Sequence, residues 1–179
     1  LFLHGPEGSG KSHLIRAWCT RSEAVAIKPA QLTLTAVPEI AGYGSVALDQ
    51  ADHIVEYEPL LHLYNILREQ GGFLLLACRM PPRQLWIPLA DLRSRLLAAQ
   101  AVGIQPPDDE LLLAVMAKLF ADRQVRVGQE VLSFLVARIE RSFAAAERAV
   151  NRLDSISLSG QRSITVHTAS AAISSFDGV

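Results

Sequence analysis

The sequence predicts an α/β fold in which helices flank a parallel sheet and a small helical domain follows. A short apolar run, Leu1–Leu3, leads directly into a glycine-rich loop, and a helical pattern comes after that loop. Two further apolar runs, SVALD at Ser45–Asp49 and FLLLAC at Phe73–Cys78, have the length and continuous hydrophobicity of buried parallel strands. After Pro106 and Pro107 the pattern is almost entirely helical, which indicates a separate helical region.

The composition is that of an ordinary globular protein. The chain has 179 residues, of which 50% are hydrophobic and 20% are charged, and its formal net charge is −1. Proteins that hold duplex DNA through its phosphates carry a basic excess, so we expect no strong direct binding to duplex DNA. The sequence shows no apolar stretch of membrane-spanning length and no signal peptide. We therefore expect no membrane association and a cytoplasmic location.

The domain organisation follows from the change of pattern at the two prolines. We predict a nucleotide-binding core over residues 1–106 and a helical lid domain over residues 107–179. Because the chain starts at Leu1 and enters a strand at once, we also expect that upstream residues are missing. The two cysteines, Cys19 and Cys78, have no metal-type spacing and are predicted to be free thiols.

The loop Gly5–Ser12, GPEGSGKS, matches the phosphate-binding pattern G-x-x-x-x-G-K-[ST] at every fixed position. Its glycines allow backbone N–H groups to converge on phosphate oxygens, and the following helix directs its positive end at them. Lys11 is predicted to reach the β- and γ-phosphates, and the Ser12 hydroxyl to ligate Mg²⁺. A Gly/Ser turn with an incidental lysine is the alternative. The predicted nucleotide-binding residues here are Gly5, Gly8, Ser9, Gly10, Lys11, Ser12 and His13.

Asp49 ends the apolar run that begins at Ser45. Open α/β sheets bind ligands at the carboxyl ends of their strands, so this carboxylate is predicted to support Mg²⁺ through water. The alternative is an aspartate that caps the turn after the strand. The five histidines are scattered, and none has a second ligand at metal-type spacing.

Hydrophobic periodicity and breaker residues predict the remaining elements. Helices are predicted at Lys11–Arg21, Pro59–Gln70, Leu89–Gln100, Leu111–Phe120 with Asp108 as its N-cap, Gln129–Glu140 and Phe143–Leu153. Short strands are predicted at Glu23–Ile27 and Ala101–Gln105. Pro29–Gly44 stays open between strand and loop, Ser155–Gln161 is predicted as a turn, and Ile164–Ile173 as a short strand or, preferably, a helical turn.

Five segments together resemble the AAA+ ATPases of the DnaA/Hda branch. The phosphate-binding loop resembles their Walker A motif, and VALDQAD resembles their Walker B motif. LLLACRMPPRQL resembles the sensor 1 strand, DLRSRL resembles box VII, and AERAVNRLD resembles the sensor 2 helix. These segments are Gly5–Leu14, Val46–Asp52, Leu74–Leu85, Asp91–Leu96 and Ala146–Asp154. Walker A alone is generic, whereas PPRQL and box VII narrow the resemblance to this branch.

The resemblance implies a P-loop AAA+ core with a lid, bound to ATP or ADP with Mg²⁺. Lys11, Asp49 and Arg95 would be its catalytic residues, and Ser12 and Asp49 would hold the metal. Arg95 corresponds to the arginine finger that reaches a neighbouring subunit's nucleotide, and a solvated helix charge is the alternative. The implied partners are the DnaA initiator and the DNA sliding clamp, with self-association through Arg95 as a further option.

The sequence departs from the family pattern at several helper positions. Gln50 stands where the second Walker B acid belongs, and an amide cannot accept a proton from water. The sensor 1 position falls at Cys78 or Arg79, and the sensor 2 arginine falls on Ala144. Arg141, three residues earlier, is predicted to substitute in part and to bind nucleotide. These departures predict that the chain binds nucleotide and hydrolyses it slowly or not at all.

Three functions therefore compete. The first is a nucleotide-bound regulator that promotes ATP hydrolysis on DnaA through Arg95 and so inactivates the initiator. The second is a DnaA-type or helicase-loader ATPase that hydrolyses its own ATP to remodel a DNA–protein complex. The third is a degenerate domain that only acts as a scaffold. The chain ends at Val179, where DnaA would continue into a DNA-binding domain, and this end favours the first function.

Overall fold

One parallel sheet organises the first half of the chain. The computed structural model describes residues 1–160 and 163–174. The strands are β1 (Phe2–His4), β2 (Val25–Ile27), β3 (Ser45–Leu48), β4 (Phe73–Cys78) and β5 (Ala101–Gly103). They pair in parallel in the spatial order β2-β3-β4-β1-β5. The predicted α/β fold with a parallel sheet is therefore confirmed.

Helices connect the strands and then continue alone. The helices are α1 (Lys11–Ser22), α2 (Val37–Ala41), α3 (Glu58–Glu69), α4 (Ala90–Ala98), α5 (Asp109–Asp122), α6 (Gln129–Val136), α7 (Phe143–Gly160) and α8 (Val166–Ser174). Parallel strands need crossover connections, and the first four helices lie in those connections. None of the helices in the described ranges is long and apolar enough to cross a membrane.

The chain forms two compact units. The first contains Leu1–Pro6 and Gly10–Gln105, and the second contains Glu7–Ser9 and the chain from Pro106 onward. The core of the first unit is the sheet, whose central strands are buried on both faces. Val46, Ala47 and Leu48 of β3 are all fully buried, which explains why this strand is a continuous apolar run.

The second unit has its own apolar core. Leu112, Met116 and Phe120 recur every four residues on α5 and are at most 1% exposed. They belong to one cluster with residues of α6, α7 and α8. The side chain of Asp108 accepts a hydrogen bond from the Leu111 backbone N–H at 2.8 Å, so the predicted N-cap of α5 is confirmed.

Two predictions in the second unit were wrong at helix ends. The segment predicted as a turn from Ser155 is helical through Gly160, because α7 runs well past Leu153. The Ser155 hydroxyl donates to the Asn151 carbonyl at 2.9 Å, which satisfies this polar side chain inside the helix. Gln161 lies outside the described residues. The preferred helical interpretation near Ile173 is confirmed by α8.

Helix α6 ends earlier than predicted, at Val136 instead of Glu140. The chain must leave the helical conformation before Ser142, because the Ser142 hydroxyl accepts the backbone N–H of Ala145 at 3.1 Å and so caps the start of α7. The apolar spacing continues through Ile139, which is why periodicity alone overextended the helix.

Strand β2 is shorter than predicted because Glu23 belongs to the end of α1. Its backbone is left-handed, with φ +54°, and the Ala24 N–H bonds back to the Cys19 carbonyl at 3.2 Å. Pairing therefore begins at Val25. In the open segment Pro29–Gly44 the structure forms loops and α2, and Pro38 occupies the first turn of that helix.

Candidate nucleotide-binding site and arginine finger

The carboxyl ends of β1, β4 and β3 lie at the same edge of the sheet, where β1 and β4 end level with each other and β3 ends two residues earlier. His4 pairs with Cys78, and Leu48 and Phe2 both pair with Leu76. The Gly5 backbone N–H, directly after β1, donates to the Cys78 carbonyl at 3.3 Å. The residues that follow these strands therefore share one edge of the sheet, which is where α/β folds bind ligands.

The phosphate-binding loop folds around its lysine. Lys11 Nζ donates to the carbonyl oxygens of Gly5 and Pro6 at 2.8 and 2.7 Å. Gly10 is left-handed with φ +92° and forms the N-cap of α1, whose first turn contains no acidic residue. A helix N-terminus of this kind favours an anion. Ser12 and His13 are exposed in the first turn of α1.

The tip of the loop belongs to the second unit. Gly8 is left-handed with φ +72°, and its carbonyl accepts a hydrogen bond from the Phe143 backbone N–H at 2.9 Å. A Cβ at Gly8 would lie 2.9 Å from the Cβ of Ser142 and 3.1 Å from that of Ala144. Only glycine fits this approach, and Ser9 beside it is buried at 2% exposure.

Asp49 is half-buried immediately after β3, and Gln50 beside it is exposed. The Asp49 backbone N–H donates to the Ile27 carbonyl at 3.0 Å, and its carboxylate accepts the Gln50 backbone N–H at 2.9 Å. Gln50 is left-handed, with φ +56°, a conformation that costs a residue with a Cβ about 1 kcal/mol. The local turn that the alternative interpretation expected is therefore present, and one of the two carboxylate oxygens accepts its hydrogen bond.

The buried thiol of Cys78 lies where the two nucleotide motifs meet. Burial, with smaller contributions from the charges of Asp52 and Asp49, raises the pKa of Cys78 to about 12, and the Lys11 charge acts in the opposite direction. Both Lys11 and the Walker B carboxylates are therefore close enough to act on one group. A thiol held neutral at this position cannot serve as a nucleophile or a charged sensor.

Arg79 pairs with a carboxylate that the sequence did not single out. Its Nε lies 2.5 Å from Asp52 Oδ2, and the Asp52 side chain is only 5% exposed. Burial by itself would raise the pKa of Asp52, but the hydrogen bond and charge of Arg79, with the backbone and His53, hold it below its ordinary value. The pair ties the loop after β3 to the loop after β4.

The residues at this edge fit a nucleotide with Mg²⁺. Left-handed glycines, a lysine within the loop and a helix N-terminus without acids are the features that hold a polyphosphate. The Ser12 hydroxyl and the Asp49 carboxylate are hard oxygen donors, the type that Mg²⁺ prefers. The predicted roles of these residues in binding and catalysis remain predictions.

Arg95 lies on α4, in the same unit. Its Nε and Nη2 donate to the two carboxylate oxygens of Asp91, each at 2.9 Å, and its guanidinium carbon is 5.3 Å from the centre of the Tyr64 ring. Leu92 and Leu96 are buried, so they anchor α4 to the core and fix the side of the helix from which Arg95 projects. The Arg95 side chain is 24% exposed. The hydrogen bond to Asp91 is the main cause that raises the pKa of Arg95.

Arg141 pairs within the second unit. Its Nε and Nη2 donate to the two carboxylate oxygens of Asp109 at 2.9 and 3.0 Å, and both side chains are more than half exposed. Surface pairs of this kind are weak, so a nucleotide phosphate can compete with Asp109. The predicted role of Arg141 as a substitute for the absent sensor 2 arginine remains a prediction.

Sequence reasoning missed the side chains that contact Arg79 and Arg95. Asp91 stands four residues before Arg95, a spacing that places both on one helix face and could have been noticed. Tyr64 is on another helix, and the Asp52–Arg79 pair joins two loops that are 27 residues apart in the chain. No local pattern indicates contacts of that range.

The fold and the residues at the carboxyl edge of the sheet together indicate a fold class. The structure has the features of the AAA+ P-loop fold: a parallel sheet with strand order β2-β3-β4-β1-β5, a phosphate-binding loop after β1, an acid after β3 and a following helical unit. Domain III of the replication initiation protein DnaA from Thermotoga maritima has the same fold. The TM-score is 0.84 at 18% identity, over 100% of this chain and 85% of that one.

Longer proteins share the fold as well. AMPPCP-bound DnaA from Aquifex aeolicus matches with a TM-score of 0.70 at 16% identity, over 90% of this chain and 58% of that one. The RuvB Holliday junction branch migration motor from Thermotoga maritima matches with a TM-score of 0.79 at 14% identity, over 97% and 60% of the two chains. This chain thus spans little more than half the length of these proteins.

The helical unit matches a family model. Residues 108–167 match the family described as Hda, lid domain. With the fold, this match confirms the resemblance of the chain to AAA+ proteins of the DnaA/Hda branch.

Proposed function

We propose that the protein is a nucleotide-binding AAA+ regulator of bacterial chromosome replication initiation. It promotes hydrolysis of the ATP bound to DnaA by inserting Arg95, and so inactivates the initiator. The observation that carries this proposal is the match of residues 108–167 to the Hda lid domain, because this lid type sets the chain apart from other P-loop proteins of the same fold.

The chemistry of the site supports a division of roles. Residues 1–106 form the nucleotide-binding core and residues 107–179 the lid, and the core holds ATP or ADP with Mg²⁺ for structural reasons. Gln50 cannot act as a general base, and Ala144 offers no charge to a γ-phosphate. Arg95 can stabilise negative charge on a transferring phosphoryl group that another protein holds. DnaA and the sliding clamp are the partners, and the cytoplasm is the location.

The test mixes the protein with ATP-loaded DnaA, with and without the sliding clamp, and follows ATP hydrolysis in a single turnover. We expect acceleration that Arg95→Ala reduces by about 10³-fold, the usual contribution of an arginine finger. Arg93→Ala is the matched control, because Arg93 is exposed on the same helix and the described residues give it no ion pair. Equal activity of wild type and Arg95→Ala would refute the role of Arg95.

A second function is favoured by the complete phosphate-binding loop. DnaA bound to AMPPCP has the same fold, so a chain of this kind can be an ATPase in its own right. The isolated protein would then hydrolyse ATP at a measurable rate that Lys11→Ala abolishes. Under the regulatory proposal, the isolated protein shows only slow hydrolysis, whether or not Lys11 is present.

A further inference from the structure

The surroundings of Arg95 fix the guanidinium from two directions. Asp91, one helical turn earlier on α4, accepts hydrogen bonds from Nε and Nη2. The Tyr64 ring on α3 lies against the guanidinium, 5.3 Å from ring centre to Cζ. The two hydrogen bonds to the Asp91 carboxylate and the contact with the Tyr64 ring together restrict the rotation and the tilt of the guanidinium.

The hydrogen bonds to Asp91 use only one edge of the guanidinium. An arginine carries five N–H donors, and a carboxylate that binds Nε and Nη2 occupies the side edge. The end edge, formed by Nη1 and the second hydrogen of Nη2, points away from Asp91. This edge can donate two parallel hydrogen bonds to two oxygens of a second anion while the first anion stays bound.

A second cation lies in the same groove as Arg95. Arg68 stands four residues after Tyr64 on α3, and it lines the same open groove as Ser94 and Arg95. The hydrogen bond from Arg95 is the main cause that lowers the pKa of Asp91, and the Arg68 charge contributes to the same shift. The groove therefore holds two guanidinium groups against one carboxylate, a balance that favours a ligand with more than one negative charge.

From this geometry we propose that Asp91 is a positioning residue for Arg95. It holds the side edge of the guanidinium so that the end edge meets the phosphoryl oxygens of a nucleotide bound to the partner protein, with Arg68 as a second cation for the same polyphosphate. This inference rests on the proposed function and deepens it. Arg95 is then a finger that is already oriented before the partner arrives.

The exposed ion pair between Asp91 and Arg95 orients the Arg95 guanidinium and does not prevent it from binding a phosphoryl group. The Asp91 side chain is 55% exposed, and ion pairs between exposed side chains at this spacing stabilise a helix only weakly. So weak a pair cannot keep Arg95 from a phosphoryl group. It can lower the number of orientations that Arg95 samples, and a misplacement of about 1 Å can cost a reaction up to about 10²-fold in rate.

The test separates the effect of Asp91 from that of Arg68 on the hydrolysis that this protein stimulates in DnaA. The concentration of the full chain is varied against ATP-loaded DnaA. We expect Asp91→Asn to lower the maximal rate roughly tenfold or more, with the half-saturating concentration changed less than about twofold. Arg68→Gln should instead raise the half-saturating concentration, and this effect should shrink at high salt. An unchanged maximal rate in Asp91→Asn would overturn the inference.

Asp122→Asn is the matched control for Asp91→Asn. Asp122 also forms an (i, i+4) ion pair, with Lys118, and its side chain is likewise 55% exposed. It lies on α5, away from α4 in the chain. If both variants lower the rate equally, the loss reflects a general effect on the protein, and the positioning role is refuted.

A second readout does not need DnaA. The exchange rate of the Arg95 Nε–H with water, measured by NMR on the full chain, reports how firmly the side edge is held. We expect faster exchange in Asp91→Asn and no change in Asp122→Asn. If wild type fails to stimulate DnaA yet shows this difference, the proposed function fails and the positioning by Asp91 stands. Equal exchange in wild type and Asp91→Asn would overturn the positioning itself.

A titration with inorganic phosphate identifies the source of the anion. If the phosphoryl group is part of a nucleotide that the partner holds, the groove by itself binds free phosphate only weakly. The Arg95 Nε signal should then not respond below about 1 mM phosphate, a concentration that corresponds to weak binding. A response at lower concentrations would mean that the groove captures free phosphate without a partner. That outcome would overturn the assignment to a partner-held nucleotide.

Discussion

The Asp52–Arg79 pair shows how one residue can set the local electrostatics of this edge. Asp52 is almost completely buried, and Arg79 is about half exposed. A carboxylate removed from water is stable only when charged or hydrogen-bonding partners compensate for the lost hydration. Arg79 supplies that compensation and so performs a structural task.

Removal of Arg79 should destabilise the protein in a pH-dependent way. The folded-state pKa of Asp52 is lowered, so its contribution to stability is complete above the unfolded value of about 3.9 and is lost as the pH falls through the folded value. Without Arg79, the largest remaining effect on the pKa of Asp52 is burial, which raises it. We expect Arg79→Ala to cost about 1–3 kcal/mol at pH 7, and less below about pH 4.

Urea unfolding of wild type and Arg79→Ala at pH 7 and below about pH 4 measures how the stability loss depends on pH. Arg83→Ala is the control, because Arg83 is exposed in the same loop and the described residues give it no ion pair. A penalty for Arg79→Ala that is the same at both pH values would mean that the lost stability does not come from the Asp52 carboxylate.

The sequence predicted those site residues whose role depends on a short local pattern. The loop glycines, Lys11 and the strand-terminal Asp49 belong to short patterns, and the structure places them at one edge of the sheet. The pairing of Arg79 with Asp52 and the contact of Tyr64 with Arg95 depend on how loops and helices pack. Such contacts are set by tertiary structure, which no residue pattern encodes.

At the scale of the element, capping and side-chain hydrogen bonds decide where helices begin and end. Asp108 caps α5, and Ser142 supplies the hydroxyl at the start of α7. Both bonds satisfy backbone N–H groups that a helix leaves without partners. The periodicity of apolar residues predicted that these helices exist but misplaced the ends of α6 and α7, because apolar spacing continues past the end of α6 and polar residues occur inside α7.

Loss of the α5 cap should destabilise the second unit by a defined amount. We expect Asp108→Ala to cost about 1 kcal/mol, whereas Asp108→Ser, which keeps a hydroxyl acceptor, should cost only a few tenths. Hydrogen exchange of the α5 amides measures the difference, since the first turn should lose protection first. Equal protection in the two variants would show that the hydrogen bond to Leu111 does not stabilise the helix.

At the scale of the whole molecule, two activities are expected to be separable. Under the proposed function, nucleotide binding depends on the phosphate-binding loop, and the action on DnaA depends on Arg95. Lys11 and Arg95 lie on different helices of the first unit, and neither belongs to its apolar clusters, so a single change at either residue should leave the unit folded.

Ligand-dependent stability tests the first of these activities. A ligand at about 100 times its dissociation constant stabilises a folded protein by about 2.7 kcal/mol. We expect ATP with Mg²⁺ to raise the free energy of unfolding by about this amount in wild type and in Arg95→Ala. Lys11→Ala should lose the effect, because the lysine is predicted to contact the phosphates. Equal stabilisation of Lys11→Ala would contradict the assignment of the loop.

The central claim is that Arg95 acts on a nucleotide that another protein holds. The most direct measurement loads DnaA with ATP labelled at the γ-phosphate, loads this protein with unlabelled ADP, and follows release of labelled phosphate after mixing. We predict release that is fast with wild type and falls about 10³-fold with Arg95→Ala, while Arg93→Ala behaves as wild type. Release that is independent of Arg95 would contradict the claim.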